Sequence, residues 1–389
     1  MSECTEANLS IAPDDQCMRV AVVLPGLHRV CRGAEVALES VASELSAVPG
    51  VKVTLFGSGE ARPSDRYKFV HVGNIPRENF EKFPRFPVFR NEYVWEEASF
   101  IPGLIARYRP ADFDITLTCS FPFVNWMLLL QRNRHEHRPA HVYVTQNGDH
   151  VVHSRKSEYR WFSCDGLVCT NPDFFETNRK QWPSRLIPNG VDPSKFFPGR
   201  ADRIEFNLPE GVPIVLMVSA LISSKRIAEG IRAAAMVQGF HLVICGDGPE
   251  RAMIQKLGDE LIPGRFHLRT LPYASMPRIY RCSDVFLHMS LDEPSANAYI
   301  EALASGLPIV THDRLVTRWT LEKTGILVNA KDPTAVANGL ILAMSKKSPE
   351  EVSLRLKLVE ERFSWSEIAR QYYDFFREIL AASPDLNTR

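Results

Sequence analysis

Short β-rich apolar runs alternate with helical patterns along the chain, and this alternation restricts the fold more than any other feature. The first cycle consists of an apolar run at residues 18–25, a helical pattern over 34–47 and a second run at 51–56. Another cycle begins at 214–219 and continues with a helical pattern over 227–238. Runs that are apolar at nearly every position are typical of strands buried on both faces of a parallel sheet. The sequence therefore predicts an α/β protein with two doubly wound, Rossmann-like halves.

Length, charge and cysteine usage narrow the class of protein further. The 389 residues suffice for two domains, and 46 Lys+Arg balance 46 Asp+Glu, so charge gives no indication of a nucleic-acid partner. We find no apolar run long enough to span a bilayer and expect no integral membrane segment. The eight cysteines form no C-x-x-C pair, which favours buried free thiols in a reducing cytoplasm over disulfides or a zinc site.

Composition also divides the chain into segments. Residues 1–17 are polar and acidic, lack the parts of a signal peptide and are predicted to form a disordered leader. The Pro- and Gly-rich stretch at 186–193 is typical of a crossing between domains. We therefore predict a first domain over 18–190 and a second domain over 191–364.

The segment 60–95 is predicted to be irregular and is rich in aromatic residues. Long irregular insertions in compact domains tend to carry function or to move. These aromatic side chains either line an acceptor cleft or pack the insertion onto the domain, and the sequence favours packing. The aromatic residues are Phe80, Phe83, Phe86, Phe89, Tyr93 and Trp95.

The stretch 291–310 carries the most chemical information. It places Glu293 in a predicted turn and Glu301 eight residues later on a predicted helix that starts at Ser295. A helix start offers unpaired N–H groups and a positive dipole end, which suit a phosphate. Two carboxylates beside such a site can accept hydrogen bonds from sugar and ribose hydroxyls. Taken alone, the stretch favours an ordinary capped helix with an acidic surface over such a site.

Three loops of the second half follow predicted strands and should meet at one edge of its sheet. They span residues 219–226, 246–249 and 292–297. In a parallel sheet the loops at strand carboxyl ends converge on one rim. Lys225 and Arg226 would add fixed positive charge to that rim, so the combination suits a nucleotide diphosphate that carries a sugar.

The sequence resembles the retaining family 4 glycosyltransferases of the GT-B fold over nearly the whole chain after Met18. The resemblance depends on motifs that are common individually but specific in this order and spacing. The motifs are Arg32-Gly-Ala-Glu35, Ile187-Pro-Asn-Gly-Val-Asp192, Val218-Ser-Ala-Leu-Ile-Ser-Ser-Lys-Arg226, Cys245-Gly-Asp-Gly-Pro-Glu250, and Glu293-x7-Glu301 followed by Ala302-Leu-Ala-Ser-Gly-Leu-Pro308.

The resemblance implies roles for individual residues. Lys225 would hold the diphosphate, Glu293 would contact the transferred sugar, and Glu301 would contact the ribose. The final helix, within 365–389, would cross back to the first domain. Across the cleft, Gly33 would close over the diphosphate. The other implied donor-binding residues are Ser219, Leu271, Tyr273, Ser295, Ala296 and Asn297.

Two departures from the family pattern affect the expected site. The family usually has Gly-Arg where this chain has Ser219-Ala220, and Arg226 is the candidate replacement for the missing cation. Many members also carry a histidine where this chain has Gln146-Asn147, with His150 slightly later. A side-chain amide cannot act as a base, but it can hydrogen-bond a sugar or an acceptor. Gln146, Asn147 and His150 are therefore the expected acceptor-side residues.

The resemblance implies a cytoplasmic, bacterial, hexosyltransferase-like enzyme that needs neither a metal nor a cofactor. The donor would be a UDP- or GDP-linked sugar, and the sugar would be transferred with retention, by front-face displacement. The acceptor would be a polysaccharide end, a lipid-linked sugar or a small metabolite. Membrane attachment and a homodimer stay open. The alternatives are a catalytically weak nucleotide-sugar-binding protein, motivated by Ala220 and the missing histidine, and a sugar-nucleotide epimerase.

Overall fold

The computed structural model describes residues 17–63, 66–132, 138–146, 160–199, 202–293 and 297–382. The predicted leader, apart from residue 17, lies outside these ranges. The described residues form two parallel sheets, with seven strands in the first and six in the second. The predicted α/β architecture with two doubly wound halves is confirmed.

The first sheet has the strand order β3-β2-β1-β4-β5-β6-β7, and every neighbouring pair is parallel. Its strands are β1 (Met18–Val23), β2 (Val51–Gly57), β3 (Lys68–His71), β4 (Ile115–Thr118), β5 (Ala140–Val144), β6 (Gly166–Cys169) and β7 (Ser184–Leu186). The helices of this half are α1 (Gly33–Leu45), α2 (Glu92–Arg107), α3 (Phe123–Arg132) and α4 (Pro172–Asn178).

The second sheet has the order β10-β9-β8-β11-β12-β13 and is also parallel throughout. Its strands are β8 (Ile214–Val218), β9 (His241–Cys245), β10 (Phe266–Arg269), β11 (Val285–His288), β12 (Ile309–His312) and β13 (Gly325–Val328). The later helices are α5 (Ile227–Ala235), α6 (Arg251–Leu261), α7 (Met276–Arg281), α8 (Asn297–Ala304), α9 (Leu315–Leu321), α10 (Pro333–Ser345), α11 (Pro349–Arg362) and α12 (Trp365–Ala382).

Each sheet has one position where the strand order reverses. In the first sheet β1 lies beside β4, and in the second β8 lies beside β11. At such a reversal the loops after the two neighbouring strands lead to opposite faces of the sheet and leave a crevice between them. The loop after β8 contains Lys225, and the loop after β11 contains Glu293, so the topology alone brings these two residues together.

The local sequence fixes where several helices begin. Asn91 and Asn171 accept hydrogen bonds from the backbone N–H groups of Val94 and Phe174, three residues into α2 and α4. Asp332 caps α10 in the same manner through Thr334. These side chains satisfy N–H groups that have no partner within the helix.

The chain crosses between the two halves twice, in two backbone segments that lie side by side. The Val191 N–H donates to Phe363 O at 2.7 Å, and Val191 and Ser364 form a parallel bridge. Beyond this crossing α12 packs on the first sheet, where Ile368, Tyr372 and Phe376 belong to the same apolar core as β1 and β4. Both halves are therefore connected by a narrow pair of segments beside the cleft.

The prediction that 60–95 is irregular is wrong in part. Residues Lys68–His71 form β3 at the edge of the first sheet, and α2 begins at Glu92. The strand is only four residues long, and α2 contains Pro102, so each gives a weak sequence pattern. The sequence analysis also missed β13, α9 and α11.

The aromatic residues of this segment gather around Trp95 on α2. The Trp95 ring lies 4.2 Å from Phe89 and 5.4 Å from Phe83, measured between ring centroids. Phe80 is buried, whereas Phe83 and Phe86 are each 45% exposed. The predicted packing onto the domain describes Trp95 and Phe80. It does not describe Phe83 and Phe86, whose side chains are nearly half exposed to solvent.

Candidate active site

The reversal point of the second sheet carries an ion pair. Lys225 Nζ contacts Glu293 Oε2, which joins the loop after β8 to the loop after β11. The Glu293 side chain is only 9% exposed, and that of Lys225 is 24% exposed. A carboxylate with so little exposure needs a cation or hydrogen-bond donors beside it, and the Lys225 ammonium group supplies the cation.

A buried chain of polar groups lies directly behind Glu293. The Tyr299 hydroxyl is 2.8 Å from His288 Nδ1 and 2.8 Å from Thr311 Oγ1. Burial, together with the charge of Lys225, lowers the pKa of His288 to about 3, so this imidazole is neutral at pH 7.

The surroundings of His288 select one tautomer. His288 Nε2 faces Glu293 Oε2 at 3.7 Å. A lone pair on Nε2 would repel the carboxylate, so the proton belongs on Nε2, and Nδ1 accepts from Tyr299. Tyr299 O then accepts from the Thr311 hydroxyl. The result is an ordered line of donors that points at Glu293.

Glu301 lies on α8 and is held by two phenols. The Tyr280 hydroxyl donates to Oε2 at 2.9 Å, and the Tyr273 hydroxyl donates to Oε1 at 3.4 Å. Burial raises the pKa of Glu301 to about 7, and the two hydrogen bonds only partly offset this effect. Glu301 therefore exchanges a proton near neutral pH and accepts further hydrogen bonds best when it is ionised.

Glu301 and Tyr273 face a cleft of about 730 Å³ between the two halves. The opposite wall comes from the first half, where Cys31, Val36 and Ser40 lie on or beside α1. The cleft also reaches the crossing segments at Gly190 and Trp365. Its volume lies within the range of sites that enclose an organic ligand of nucleotide size.

A chain of side-chain amides crosses this cleft. Gln146 Nε2 donates to Asn189 Oδ1 at 2.5 Å, and Asn189 Nδ2 donates to Asn297 Oδ1 at 2.8 Å. Gln146 follows β5 in the first half, and Asn297 opens α8 in the second. A side chain at Gly33 would place its Cβ only 3.5 Å from Asn297 Nδ2. Gly33, Gln146 and Asn297, which the sequence analysis assigned to the two sides of the site, thus lie together.

The remaining predicted residues are placed as follows. Arg226 Nη2 donates to Ala330 O at 3.3 Å, so its guanidinium is directed away from the pair formed by Lys225 and Glu293. Leu271 packs against the apolar core of the second sheet, which contains Leu216 and Phe286. The backbone of Ser219 lies close to Gly246. A Cβ atom at position 246 would be 1.9 Å from the Ser219 carbonyl oxygen, so only glycine fits at position 246. Ser295, Ala296, Asn147 and His150 lie outside the described residues.

Sequence reasoning missed several residues that build the site. Asn189 belongs to the motif Ile187-Pro-Asn-Gly-Val-Asp192, but its position between two amides depends on the crossing of the chain. His288 ends a buried strand, and Tyr299 is on the buried face of α8, so both read as ordinary core residues. The only signal was a polar residue within an apolar run.

The first sheet has its own buried charge at the corresponding rim. Glu96 is 1% exposed and contacts the guanidinium of Arg29 and Arg77 Nε, the latter at 3.2 Å. Arg77 also lies over the Tyr93 ring at 4.9 Å, and the Tyr93 hydroxyl donates to Ser120 at the end of β4. Within the described residues, no group of three His, Cys, Asp or Glu side chains is close enough to hold a metal ion.

Two solved structures resemble the chain over almost its full length. Sucrose-phosphate synthase from Thermosynechococcus elongatus has a TM-score of 0.74 at 21% identity, covering 94% of this chain and 100% of that one. Alr3699/HepE from Anabaena, in complex with UDP and glucose, has a TM-score of 0.69 at 14% identity, covering 92% and 99%. At these identities the likeness establishes the fold, which is GT-B: two Rossmann-like domains that face each other across a cleft.

Two family descriptions match the sequence, one in each half. "Glycosyltransferase Family 4" matches residues 31–195, and "Glycosyl transferases group 1" matches residues 200–365. The chain therefore belongs to the family 4, or group 1, glycosyltransferases, and it is an enzyme that transfers a sugar. The predicted family is confirmed.

A curated relative agrees with this assignment. The lipopolysaccharide core biosynthesis glycosyltransferase LpsE of Rhizobium meliloti (strain 1021) is 26% identical over 254 residues. The match covers 62% of this chain and 70% of that protein. In the described part of the chain, no helix is both long and apolar enough to cross a bilayer.

Proposed function

We propose that this enzyme moves a sugar from a UDP- or GDP-linked donor to an acceptor hydroxyl and retains the anomeric configuration. The observation that carries the proposed function is the contact between Lys225 and Glu293 at the reversal point, with Glu301 in the adjoining cleft. The complex of Alr3699/HepE with UDP and glucose supports a nucleotide-linked donor in this fold. The seven cysteines of the described residues are free thiols, five of them buried, which supports a cytoplasmic location.

The charges of the second domain suit the donor. When the diphosphate enters, Lys225 would turn from Glu293 to the phosphate oxygens, because two negative charges there attract it more strongly than one carboxylate. The His288 Nε2–H would then be the remaining donor near Glu293. The freed carboxylate would accept hydrogen bonds from the hydroxyls of the transferred sugar, and Glu301 would accept from the ribose.

A front-face transfer follows from the same arrangement. Glu301 is held by two tyrosines, and Glu293, once Lys225 has turned to the phosphate, would be held by His288 Nε2–H and the sugar hydroxyls, which supports binding roles for both carboxylates over nucleophilic attack. The bond from C1 to the diphosphate oxygen would break while C1 bonds to the acceptor oxygen on the same face. The acceptor proton would pass to the departing diphosphate, whose charge Lys225 stabilises.

Gln146 and Asn189 are proposed to orient the acceptor side of the reacting centre. Both are amides, so they can donate and accept hydrogen bonds but cannot remove a proton at neutral pH. The relative LpsE supports a sugar acceptor in a cell-envelope polymer, and a lipid-linked or small-metabolite acceptor remains within the proposed range.

Binding is tested first with UDP, GDP, ADP and TDP in a thermal-shift panel. A nucleotide at about 100 times its Kd stabilises the folded state by about 2.7 kcal/mol, which corresponds to several degrees of Tm. We expect UDP or GDP to give that shift. Absence of any shift from all four nucleotides would refute the proposed donor class.

Transfer is tested with the matching nucleotide sugars and with Glu293→Gln. We expect nucleotide release that depends on an acceptor, and a product whose anomeric proton coupling matches that of the donor. Glu293→Gln should lose about 10²-fold in transfer while it binds the nucleotide as the wild type does. Glu260→Gln, an exposed change on α6, is the matched control. An inverted product would exclude retention, and normal transfer by Glu293→Gln would remove this residue from the site.

A further inference from the structure

Arg314 lies at a junction of three segments near the proposed sugar site. It follows β12 and precedes α9, and its side chain is 18% exposed. One guanidinium nitrogen, Nη2, pairs with Asp173 Oδ2 at 2.5 Å. The other, Nη1, donates to Asp292 Oδ1 at 2.8 Å and to the backbone carbonyl of Glu293 at 3.3 Å.

These contacts connect the two domains. Asp173 is in the first turn of α4, which follows β6 of the first sheet, whereas Asp292 and Glu293 belong to the loop after β11 of the second. The covalent crossings are elsewhere, at Val191 and Ser364. The contact between Asp173 and Arg314 is therefore a noncovalent connection in addition to the amide chain through Asn189, and it ends on the loop that holds Glu293.

The three contacts of Arg314 differ in how strongly they restrain the loop that holds Glu293. The Asp292 side chain is 93% exposed, so solvent screens its attraction to Arg314. The hydrogen bond to the Glu293 carbonyl instead fixes the backbone that carries the site carboxylate. Asp173 in turn limits where the guanidinium can lie. A guanidinium has donors on both terminal nitrogens in one plane, which allows one side chain to serve both partners.

We propose that Arg314 is a positioning residue that couples closure of the two domains to the placement of Glu293. In the closed arrangement Asp173 holds the guanidinium, and the guanidinium holds the turn at Glu293. When the domains separate, the pair with Asp173 breaks, and the turn loses the restraint that aims Glu293 at the sugar. The enzyme would then bind a nucleotide in the open form but would react only when closed. This inference rests on the proposed role of Glu293.

The test compares Arg314→Ala, Arg314→Lys and Asp173→Ala with the control Arg318→Ala. Arg318 is on α9, four residues after Arg314, and its pair with Asp313 stays within the second domain. We expect kcat to fall about 30- to 100-fold in Arg314→Ala, because a misplacement of about 1 Å can cost 10²-fold. Arg314→Lys and Asp173→Ala should each lose about 10-fold, and the control less than twofold. The Kd for UDP or GDP should stay within threefold in all four variants.

Three kinetic results would each overturn the inference. One is a kcat loss below threefold in Arg314→Ala. Another is a normal kcat in Asp173→Ala, since Arg314 would then act on the turn without the domain contact. The third is a double variant of both residues that loses the product of the two single losses, because residues that act through one contact should not be additive.

A measurement without turnover separates this inference from the proposed function. Small-angle scattering with and without UDP or GDP reports the compactness of the two domains. We expect the nucleotide to compact the wild type and Arg318→Ala, but to compact Arg314→Ala and Asp173→Ala less. Equal compaction in all four would refute the coupling. A wild type that binds the nucleotide and compacts but transfers no sugar would refute the proposed function and leave the coupling standing.

Discussion

The two sheets reverse their strand order in the same way, yet the two rims hold charge differently. At the second rim Glu293 meets a single lysine and the neutral His288, while Glu301 accepts from the hydroxyls of Tyr280 and Tyr273. At the first rim Glu96 is held by the arginines at positions 29 and 77. One lysine can be drawn away by an arriving phosphate. Around Glu96, by contrast, the guanidinium groups of Arg29 and Arg77, with Arg32 Nη1 3.9 Å from Glu96 Oε2, form a fixed structural unit. From this difference we expect the second rim, the proposed donor side, to exchange partners during the reaction and the first rim to stay a rigid frame.

Removing the Lys225 cation from the second rim should have the largest effect on transfer. We expect Lys225→Ala to lose about 10² to 10³-fold in transfer rate, as is found when one preorganised donor to a developing charge is removed. Steady-state donor turnover measures the effect. Lys256→Ala, an exposed lysine on α6, should behave as the wild type. A nearly normal rate in Lys225→Ala would remove this residue from the proposed site.

A smaller effect is expected from the proton on Glu301. Its pKa of about 7 means that it is largely protonated at pH 6, while an acceptor of ribose hydroxyls should be ionised. Nucleotide affinity should therefore rise as the pH rises from 6 to 8, by about tenfold per pH unit at most below the pKa. Titration calorimetry in buffers of different ionisation enthalpy should detect release of a fraction of one proton on binding at pH 7. Glu301→Gln should show only the smaller effects that remain from the terminal phosphate of the nucleotide, whose second ionisation has a pKa of about 6.

The same pKa has a consequence for stability, with the opposite sign. The folded protein retains a proton on Glu301 that the unfolded chain releases near the ordinary pKa of 4.5. The contribution of this group to the free energy of unfolding therefore falls between pH 4.5 and 7 and stays low above it, by about 3 kcal/mol at most. Glu301→Gln should remove this loss, so the variant should be more stable than the wild type at pH 8. Denaturant unfolding at pH 5 and pH 8 measures the difference.

The donors behind Glu293 give a further, milder test. Tyr299→Phe removes the group that fixes the tautomer of His288, and we expect kcat to fall about 3- to 10-fold with the nucleotide Kd unchanged. The unpaired Nδ1 should cost about 1 kcal/mol of stability. Tyr373→Phe on α12 is the control. His288→Gln, which can still offer an N–H towards Glu293, should retain more activity than His288→Asn, and the reverse order would contradict the assigned tautomer.

The smallest effect on transfer is expected from the aromatic residues around Trp95. Phe83→Ser and Phe86→Ser should each cost about 1 kcal/mol of stability, because both rings are nearly half exposed, whereas Trp95→Ala should cost about 3 kcal/mol. Denaturant unfolding measures these values, and donor turnover should change less than twofold in the two serine variants. A large loss of transfer in Phe83→Ser would show that the rigid frame also binds the acceptor.

Sequence patterns were informative where a proposed site residue is positioned by one turn, helix or strand. The spacing of Glu293 and Glu301 on one turn and one helix, and of Lys225 after a buried strand, follows from local structure. These residues could therefore be proposed before any fold was known, and their roles stay predictions. Sequence patterns do not give the direction of the Arg226 side chain, whose guanidinium turns to Ala330, because the direction of a long side chain depends on neighbours that are distant in the sequence. They also missed β3 and α2, where a short strand and an internal proline weaken the periodicity.

The sequence by itself determined the two doubly wound domains and the family, and it predicts three ionisable site residues on the second rim. The physical reason is that buried parallel strands, helix starts and turn motifs are specified within about ten residues of chain. Only the tertiary structure decided which groups meet across the cleft: Asn189 between Gln146 and Asn297, His288 behind Glu293, and Arg314 between Asp173 and the Glu293 turn. Arg314 and Asp173 are 141 residues apart in the chain. Such contacts depend on how two finished domains pack, and no local pattern encodes that.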